Sequence, residues 1–279
     1  MLLNFAKYEG LGNDFILIKN LDGAITLTVE QIARLCDRNF GIGADGLIFA
    51  RPSASADFFM DYYNSDGSLA EMCGNGIRCY TKYLVDEWLT DKSTLIIETR
   101  AGHKQVELVF DGGKAIGAKV DMGAPELAAL EIPVRVEAEK AIDEQFTFGD
   151  TIIRATCVSL GNPHCVIFVD DVKEAPVQTL GPVIETSDYF PQKTNVEFAQ
   201  IISKDEIALR VWERGCGETL ACGTGACATL VAAALNDKTG RFAVIHLPGG
   251  DLSVTWNEDD GILMEGPAKK VFTGSIDVK

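Results

Sequence analysis

The chain has 279 residues, 47% hydrophobic and 24% charged, ordinary globular proportions with enough apolar material for one large core or two smaller ones. With 41 acidic against 25 basic residues the net charge is −16, which repels nucleic-acid backbones and anionic membranes, and no basic tract offsets it. The opening MLLNFAKYEG carries neither a secretory nor a transit pattern, and no apolar run reaches membrane-spanning length, so a cytoplasmic protein is expected.

In chain order, a strand is predicted through Phe15–Ile18, then a helix opened by the capping-box pattern Thr28-Val29-Glu30-Gln31 and running to about Arg38. Strands follow at Gly46–Ala50 and Phe58–Tyr63. A helix begins after Cys73, with Ile77, Tyr80, Leu84 and Trp88 at helical spacing. Three more strands, near Thr94–Glu98, Gln105–Phe110 and Ala115–Val120, are separated by turn signals that include Asp111-Gly112-Gly113. The second half predicts a strand at Cys165–Val169, a helix near Val177–Glu185, strands at Val196–Ile202 and Ile207–Trp212, a helix of small apolar residues through Leu235, and strands to the end.

The order repeats. A shift of 149 residues carries Cys73 onto Cys222, Gly12-Asn13 onto Gly161-Asn162, and Asn64 onto Glu213, each at a strand end or helix start. Many strands with two helices per half exclude an alternating βαβ sheet and argue for α+β. Two similar lobes with a cleft between them are the simplest arrangement: residues 1–122 plus 267–279 as a first lobe carrying Cys73, and 123–266 as a second carrying Cys222, divided near Met122-Gly123-Ala124-Pro125.

Eight cysteines without a secretion signal indicate reduced thiols. No two stand in a C-x2-C pair and only three histidines are present, which disfavours zinc. Cys73 and Cys222 differ from the rest: each precedes a Gly-x-Gly turn at a helix start, in MCGNGIRC and ACGTGACA. There the unpaired amides and the positive end of the helix dipole favour thiolate over thiol, so a lowered pKa is expected. Gly74, Gly76, Gly223 and Gly225 let a ligand reach the backbone, whose N–H groups can hold a carboxylate. Cys36, Cys79, Cys157, Cys165, Cys216 and Cys227 lack this setting and are assigned to packing.

Two thiols on opposite sides of one cleft suit inversion of a carbon centre, one removing a proton and the other returning one to the opposite face. Two nearby thiolates repel, so a single shared proton is the favoured state. Matched pKa values near neutrality allow transfer in either direction, and the helix starts can stabilise charge that develops on a substrate carboxylate.

Along nearly its whole length the sequence resembles the diaminopimelate epimerases, through GLGNDF (10 to 15), GIGADG (41 to 46), NSDGS (64 to 68), MCGNGIRC (72 to 79), VSLGNPHCV (158 to 166), NVEF (195 to 198), ERGCGET (213 to 219) and ACGTGACA (221 to 228). The resemblance implies two pseudo-symmetric lobes, each a barrel-like, mostly antiparallel sheet around a central helix, with the active site in the interlobe cleft. It implies interconversion of LL- and meso-diaminopimelate in lysine biosynthesis, with no metal, pyridoxal phosphate or nucleotide cofactor, by a homodimer whose lobes close on the substrate. Cys73 and Cys222 would be the acid/base pair. Gly74, Asn75, Gly223 and Thr224 would hold the reacting carboxylate, and Asn13, Asn64, Asn162, Asn195 and Arg214 the remaining carboxylate and amino groups. Glu213 and His164 would contact substrate and tune the thiols. The sequence departs from many of these proteins at Gly46, where Gln is common, and at Glu9, where His is common. A proline or hydroxyproline racemase of the same superfamily, which usually has His at the place of Asn75 and lacks Glu-Arg-Gly at 213 to 215, is an alternative. So are a non-catalytic two-lobed amino-acid-binding protein and a redox sensor that uses Cys73 and Cys222.

Overall fold

The computed structural model describes residues 1–278. Its elements in chain order are β1 (Leu2–Gly10), β2 (Asn13–Lys19), α1 (Val29–Cys36), β3 (Gly46–Arg51), β4 (Phe58–Asn64), α2 (Gly74–Asp86), β5 (Thr94–Thr99), β6 (Gly102–Asp111), β7 (Lys114–Gly123), β8 (Glu144–Phe148), β9 (Thr151–Ser159), β10 (Pro163–Phe168), α3 (Val177–Glu185), β11 (Asn195–Ile201), β12 (Glu206–Glu213), β13 (Gly217–Thr219), α4 (Gly223–Leu235), β14 (Phe242–Leu247), β15 (Gly250–Trp256), β16 (Ile262–Pro267) and β17 (Lys269–Asp277). The class is therefore a sheet-dominated α+β fold. The chain forms two compact units, Met1–Asp121 with the residues from Glu265 onward, and Met122–Met264.

The first unit pairs β1–β2 antiparallel, β2–β3 parallel, β3–β4 antiparallel, β4–β5 parallel and β5–β6 antiparallel. The second runs through β9–β10, β10–β11, β11–β12, β12–β14 and β14–β15 in the same alternation. Register follows the repeat: Phe15 faces Gly46 as His164 faces Asn195, and α2 and α4 begin and end at the same shift of 149. The shift becomes 148 after α4, since Phe58 and Phe59 pair with Ile97 and Glu98 while Ile207 and Ala208 pair with Ile245 and His246.

Each unit surrounds one helix with its own strands. α2 packs on β1, β2, β3, β6 and β17, and α4 on β9, β10, β11, β14 and β15. A helix enclosed on all sides has no reason to keep a polar face. Accordingly α4 consists almost wholly of buried small and apolar residues, and α2 buries Asn75 through Thr81 continuously. The shorter helices lie against separate layers. α1 uses the capping box, with Thr28 Oγ1 accepting from the Gln31 amide at 3.2 Å and Gln31 Oε1 from the Thr28 amide at 3.0 Å, and buries Ile32, Leu35 and Cys36 against Ile16, Ile18, Leu47 and Phe49.

Some expectations fail for local reasons. Trp88 is not on the buried face of α2: the helix ends at Asp86, Trp88 takes a positive φ of 56° and its side chain is 92% exposed. α1 stops at Cys36, short of Arg38, because Asp37 turns extended and caps Asn39 and Phe40. Cys216 is exposed on the turn between β12 and β13, so its assignment to packing is wrong, whereas Cys36, Cys79, Cys157, Cys165 and Cys227 are buried. Strands β1, β8, β9 and β13 have no counterpart in the sequence reading.

Gly46 sits where a side chain has no room. A Cβ there would lie 2.6 Å from the Tyr62 ring and 2.7 Å from the Tyr63 carbonyl oxygen. Gly46→Ala is expected to cost ~1–3 kcal/mol, read as a lower thermal midpoint, and Gly46→Gln more; an unchanged midpoint would show that the Tyr62 ring gives way freely.

Candidate active site

Cys73 and Cys222 are the N-cap residues of α2 and α4, one position before the first helical residue. Both backbones are extended, with φ/ψ of −140/124° and −123/112°. In this conformation each sulfur folds back on its own helix, accepting the amide of Gly76 and of Gly225, both at 3.4 Å. A helix start leaves its first amides without intrahelical acceptors. Here the third is met by sulfur, and the amides before it, beginning at Gly74 and Gly223, are those that a carboxylate could reach.

The surroundings of the two sulfurs differ. At Cys73 the thiol donates to Asn13 Oδ1 at 3.5 Å, and Asn75 Nδ2 donates to the same oxygen at 3.3 Å. Asn13 Nδ2 donates in turn to Asp45 Oδ2 at 2.7 Å, which fixes which end of the amide faces the cysteine. Asp45 is held by Arg38 at 2.7 Å, and Arg38 also grips Asp14 at 2.8 Å, with Lys7 on the other Asp14 oxygen at 2.7 Å. Burial pushes the Asp14 carboxyl up, but Arg38 and Lys7 outweigh it and bring it down to about 2. Arg78 is fully buried on α2 and donates to Asn75 Oδ1 at 2.8 Å and to the Gly74 carbonyl at 3.1 Å, bracing the turn that holds Cys73.

At Cys222 the neighbours are Thr224, whose Oγ1 is 3.6 Å from the sulfur, and Glu213. Asn162 Nδ2 donates to Thr224 Oγ1 at 3.3 Å. Asn162 Oδ1 lies 3.1 Å from His164 Nε2, and His164 Nδ1 lies 2.6 Å from Glu197 Oε1, with His164 and Glu197 fully buried. Glu213 accepts from Thr219 Oγ1 at 2.5 Å. Burial, then the charges of Glu213 and Glu197, raise the Cys222 thiol well above its ordinary range, against the opposing bonds from Thr224 and the Gly225 amide. At Cys222, desolvation and two carboxylates thus oppose the lowering expected at a helix start. Burial likewise raises Glu213, opposed by Thr219 and Cys222.

The residues expected at a site fall into three sets. Asn13, Cys73, Gly74 and Asn75 are joined in the first unit, and Asn162, His164, Glu213, Cys222, Gly223 and Thr224 in the second. Asn64, Asn195 and Arg214 are bonded elsewhere. Asn64 Nδ2 turns to Ser68 Oγ at 3.0 Å. Asn195 is buried with its amide committed to backbone, donating to the Pro163 carbonyl at 2.8 Å and accepting the Arg214 amide at 2.9 Å. The Arg214 guanidinium is exposed and donates to the Gln192 carbonyl at 3.1 Å. Sequence reasoning did not single out Glu197, Asp45, Arg38 or Arg78. Glu197 has a visible signal as the only charged residue of NVEFAQI, whereas Arg78, with Asn75, Thr81 and Lys82 at helical spacing around it, has none. Of the two departures, Glu9 accepts the Gly12 amide at 3.1 Å and so closes the turn that leads to Asn13.

The sequence model described as "Diaminopimelate epimerase" matches residues 5–128 and 156–271. The chain belongs to the diaminopimelate epimerase family. Named members of that family include the diaminopimelate epimerase of Methanococcus maripaludis, 50% identical over 99% of this chain and 100% of the relative, and that of Moorella thermoacetica, 47% identical over 98% and 99%. Among solved structures, a hydroxyproline epimerase from Agrobacterium vitis covers 99% of this chain and 92% of its own with a TM-score of 0.72 and 12% identity, a likeness of fold alone.

The carboxylate beside Cys222 should show in the pH dependence of that thiol. Removing the carboxylate beside Cys222 removes a group that disfavours its thiolate, so Glu213→Gln is expected to shift iodoacetamide labelling of Cys222 to lower pH. Peptide mass spectrometry across pH 7 to 10 would follow this; an unmoved profile would mean that Glu213 does not set the thiol.

Proposed function

We infer that this chain interconverts LL- and meso-2,6-diaminopimelate in lysine biosynthesis, using its own side chains as acid and base. The observation that carries the reading is the doubled cysteine N-cap, with the same backbone and the same sulfur–amide contact at both helix starts, in a chain matched to the family over nearly its full length.

One sulfur, as thiolate, takes the α-proton: an S–H bond forms, the C–H bond breaks, and the electron pair passes into the adjacent carboxylate. The other sulfur, as thiol, gives its proton to the opposite face, forming the new C–H bond and becoming the thiolate. Each sulfur serves as base for one isomer and as acid for the other, and keeps its helix amide, Gly76 or Gly225, when its proton departs. Gly74, Asn75, Gly223 and Thr224 hold the reacting carboxylate at the helix starts, where preorganised donors meet the developing charge without reorganising. Asn13, Asn64, Asn162 and Arg214 supply carboxylate and amino contacts. Arg214 leaves the Gln192 carbonyl to do so and offers the planar fork that a carboxylate accepts. Asn195 contributes by holding the Arg214 backbone in place.

A proline or hydroxyproline substrate is disfavoured by Asn75, where an amide replaces the histidine usual in those racemases, and by Glu213 and Arg214, which provide for a second charged end. The active form is a homodimer in the cytoplasm, closing on substrate to exclude water.

Reduced protein incubated in deuterated water is expected to exchange the α-proton of LL-diaminopimelate and form the meso isomer, with proline and lysine inert. Cys73→Ala and Cys222→Ala should each lower kcat by at least ~10²-fold. Inversion to the meso isomer that persisted in either variant would overturn the two-thiol assignment.

A further inference from the structure

The two units build the same strand pairs at the same register, which makes each a control for the other. At the place of His164 and Glu197 in the second unit, the first has Phe15 and Ile48, a fully buried apolar pair. The fold is therefore satisfied without a buried imidazole or carboxylate here. Burying both costs desolvation that apolar side chains of similar size avoid. Glu197 also has one carboxyl oxygen, Oε2, buried without a hydrogen-bond partner. Its Oε1 comes so close to α4 that a Cβ on Gly225 would lie 2.8 Å away. Packing does not account for these residues, and the cysteine on which they converge does.

We propose that Glu197 is a positioning residue for Cys222, acting through a one-directional chain of hydrogen bonds formed by His164, Asn162 and Thr224. The inference rests on Cys222 being one of the two acid/base thiols. Each link is fixed by its neighbour. Asn162 spends its N–H on Thr224 Oγ1, so its oxygen faces His164 and accepts from Nε2–H. His164 Nδ1 then meets Glu197 Oε1, and the pair holds the ring with a proton on Nε2 whether the shared proton sits on nitrogen or oxygen. At the other end, Thr224 Oγ1 accepts from Asn162 and lies 3.6 Å from the Cys222 sulfur, which leaves its own hydrogen available to that sulfur. A hydroxyl held as donor stabilises the thiolate as it forms, without reorienting during the proton transfer.

The groups facing Glu197 are His164 and the Cys165 backbone from β10, Glu213 from β12, and Cys222 with Gly225 at the start of α4. In the first unit the corresponding asparagine, Asn13, turns its oxygen to Cys73 and its N–H to Asp45. One scaffold thus presents an acceptor to one sulfur and a donor to the other.

Two measurements test this. The chain has only three histidines, so nitrogen-15 NMR of the substrate-free protein resolves the His164 ring. Nε2 is expected to carry a proton, and an unprotonated Nε2 would overturn the proposal without reference to turnover. In kinetics, Glu197→Ile, which installs the residue of the first unit, is expected to lower kcat at least ~10-fold with KM within about twofold. Glu197→Gln, whose amide can still donate to His164 Nδ1, should recover most of the loss. Equal kcat in Glu197→Ile and the parent, or equal loss in Glu197→Gln and Glu197→Ile, would overturn it. Should Glu197→Ile fail to fold, the ring protonation in the parent and in Glu197→Gln decides the matter. Failure of the parent to epimerise diaminopimelate would sink the functional reading and leave the protonation result standing.

Discussion

The bond on which both half-sites depend is the one from each cysteine sulfur to the third amide of the helix that follows it. An N-cap residue is ordinarily Ser, Thr, Asp or Asn, whose oxygen meets an unpaired amide at low cost. A cysteine there is a weaker acceptor as a thiol and a better one as a thiolate, so the helix start gains most when the sulfur is ionised. Glycine three residues on admits the sulfur, and at Gly225 it also admits the Glu197 carboxyl, which any side chain would displace. The helices then need burial on every side to be held at fixed positions, which is why α2 and α4 lie within the strands of their own units.

The repeat supplies two copies of this start, and the copies have diverged where chemistry requires it. Asn13 and Asn162 occupy corresponding places and link their cysteines to different partners: a carboxylate held by Arg38 in one case, a buried His–Glu pair in the other. Strand register and helix bounds are preserved while the charges change.

Much of this was legible before the structure. Period and turn chemistry gave α3 to the residue, and the doubled Cys-Gly-x-Gly turn marked both helix starts. The α+β class followed from counting strands against helices. What escaped notice has physical causes. β1 and β9 do not alternate, since β1 buries Lys7 and β9 passes from exposed to continuously buried along its length, and β8 is only five residues long. Trp88 fits a helical spacing that Asp86 and the positive φ at Trp88 bring to an end. The pKa of Cys222 could not be read because the dipole is a local feature, whereas burial and the approach of Glu213 and Glu197 come from strands 9 and 25 residues away in sequence. Asn195 was read from its motif as a substrate contact, and its bonds to the Pro163 carbonyl and the Arg214 amide were not legible there.

The central claim, two thiols acting from opposite faces, is tested most directly by where solvent deuterium first appears. LL-diaminopimelate would be incubated with reduced protein in deuterated water for well under one half-conversion, and substrate and product separated and analysed by mass. Two thiols of separate function place deuterium in the product while the recovered substrate stays unlabelled, because the proton taken by the first sulfur is the one returned on reversal. Equal early labelling of recovered substrate and product would indicate one base serving both faces and would contradict the account.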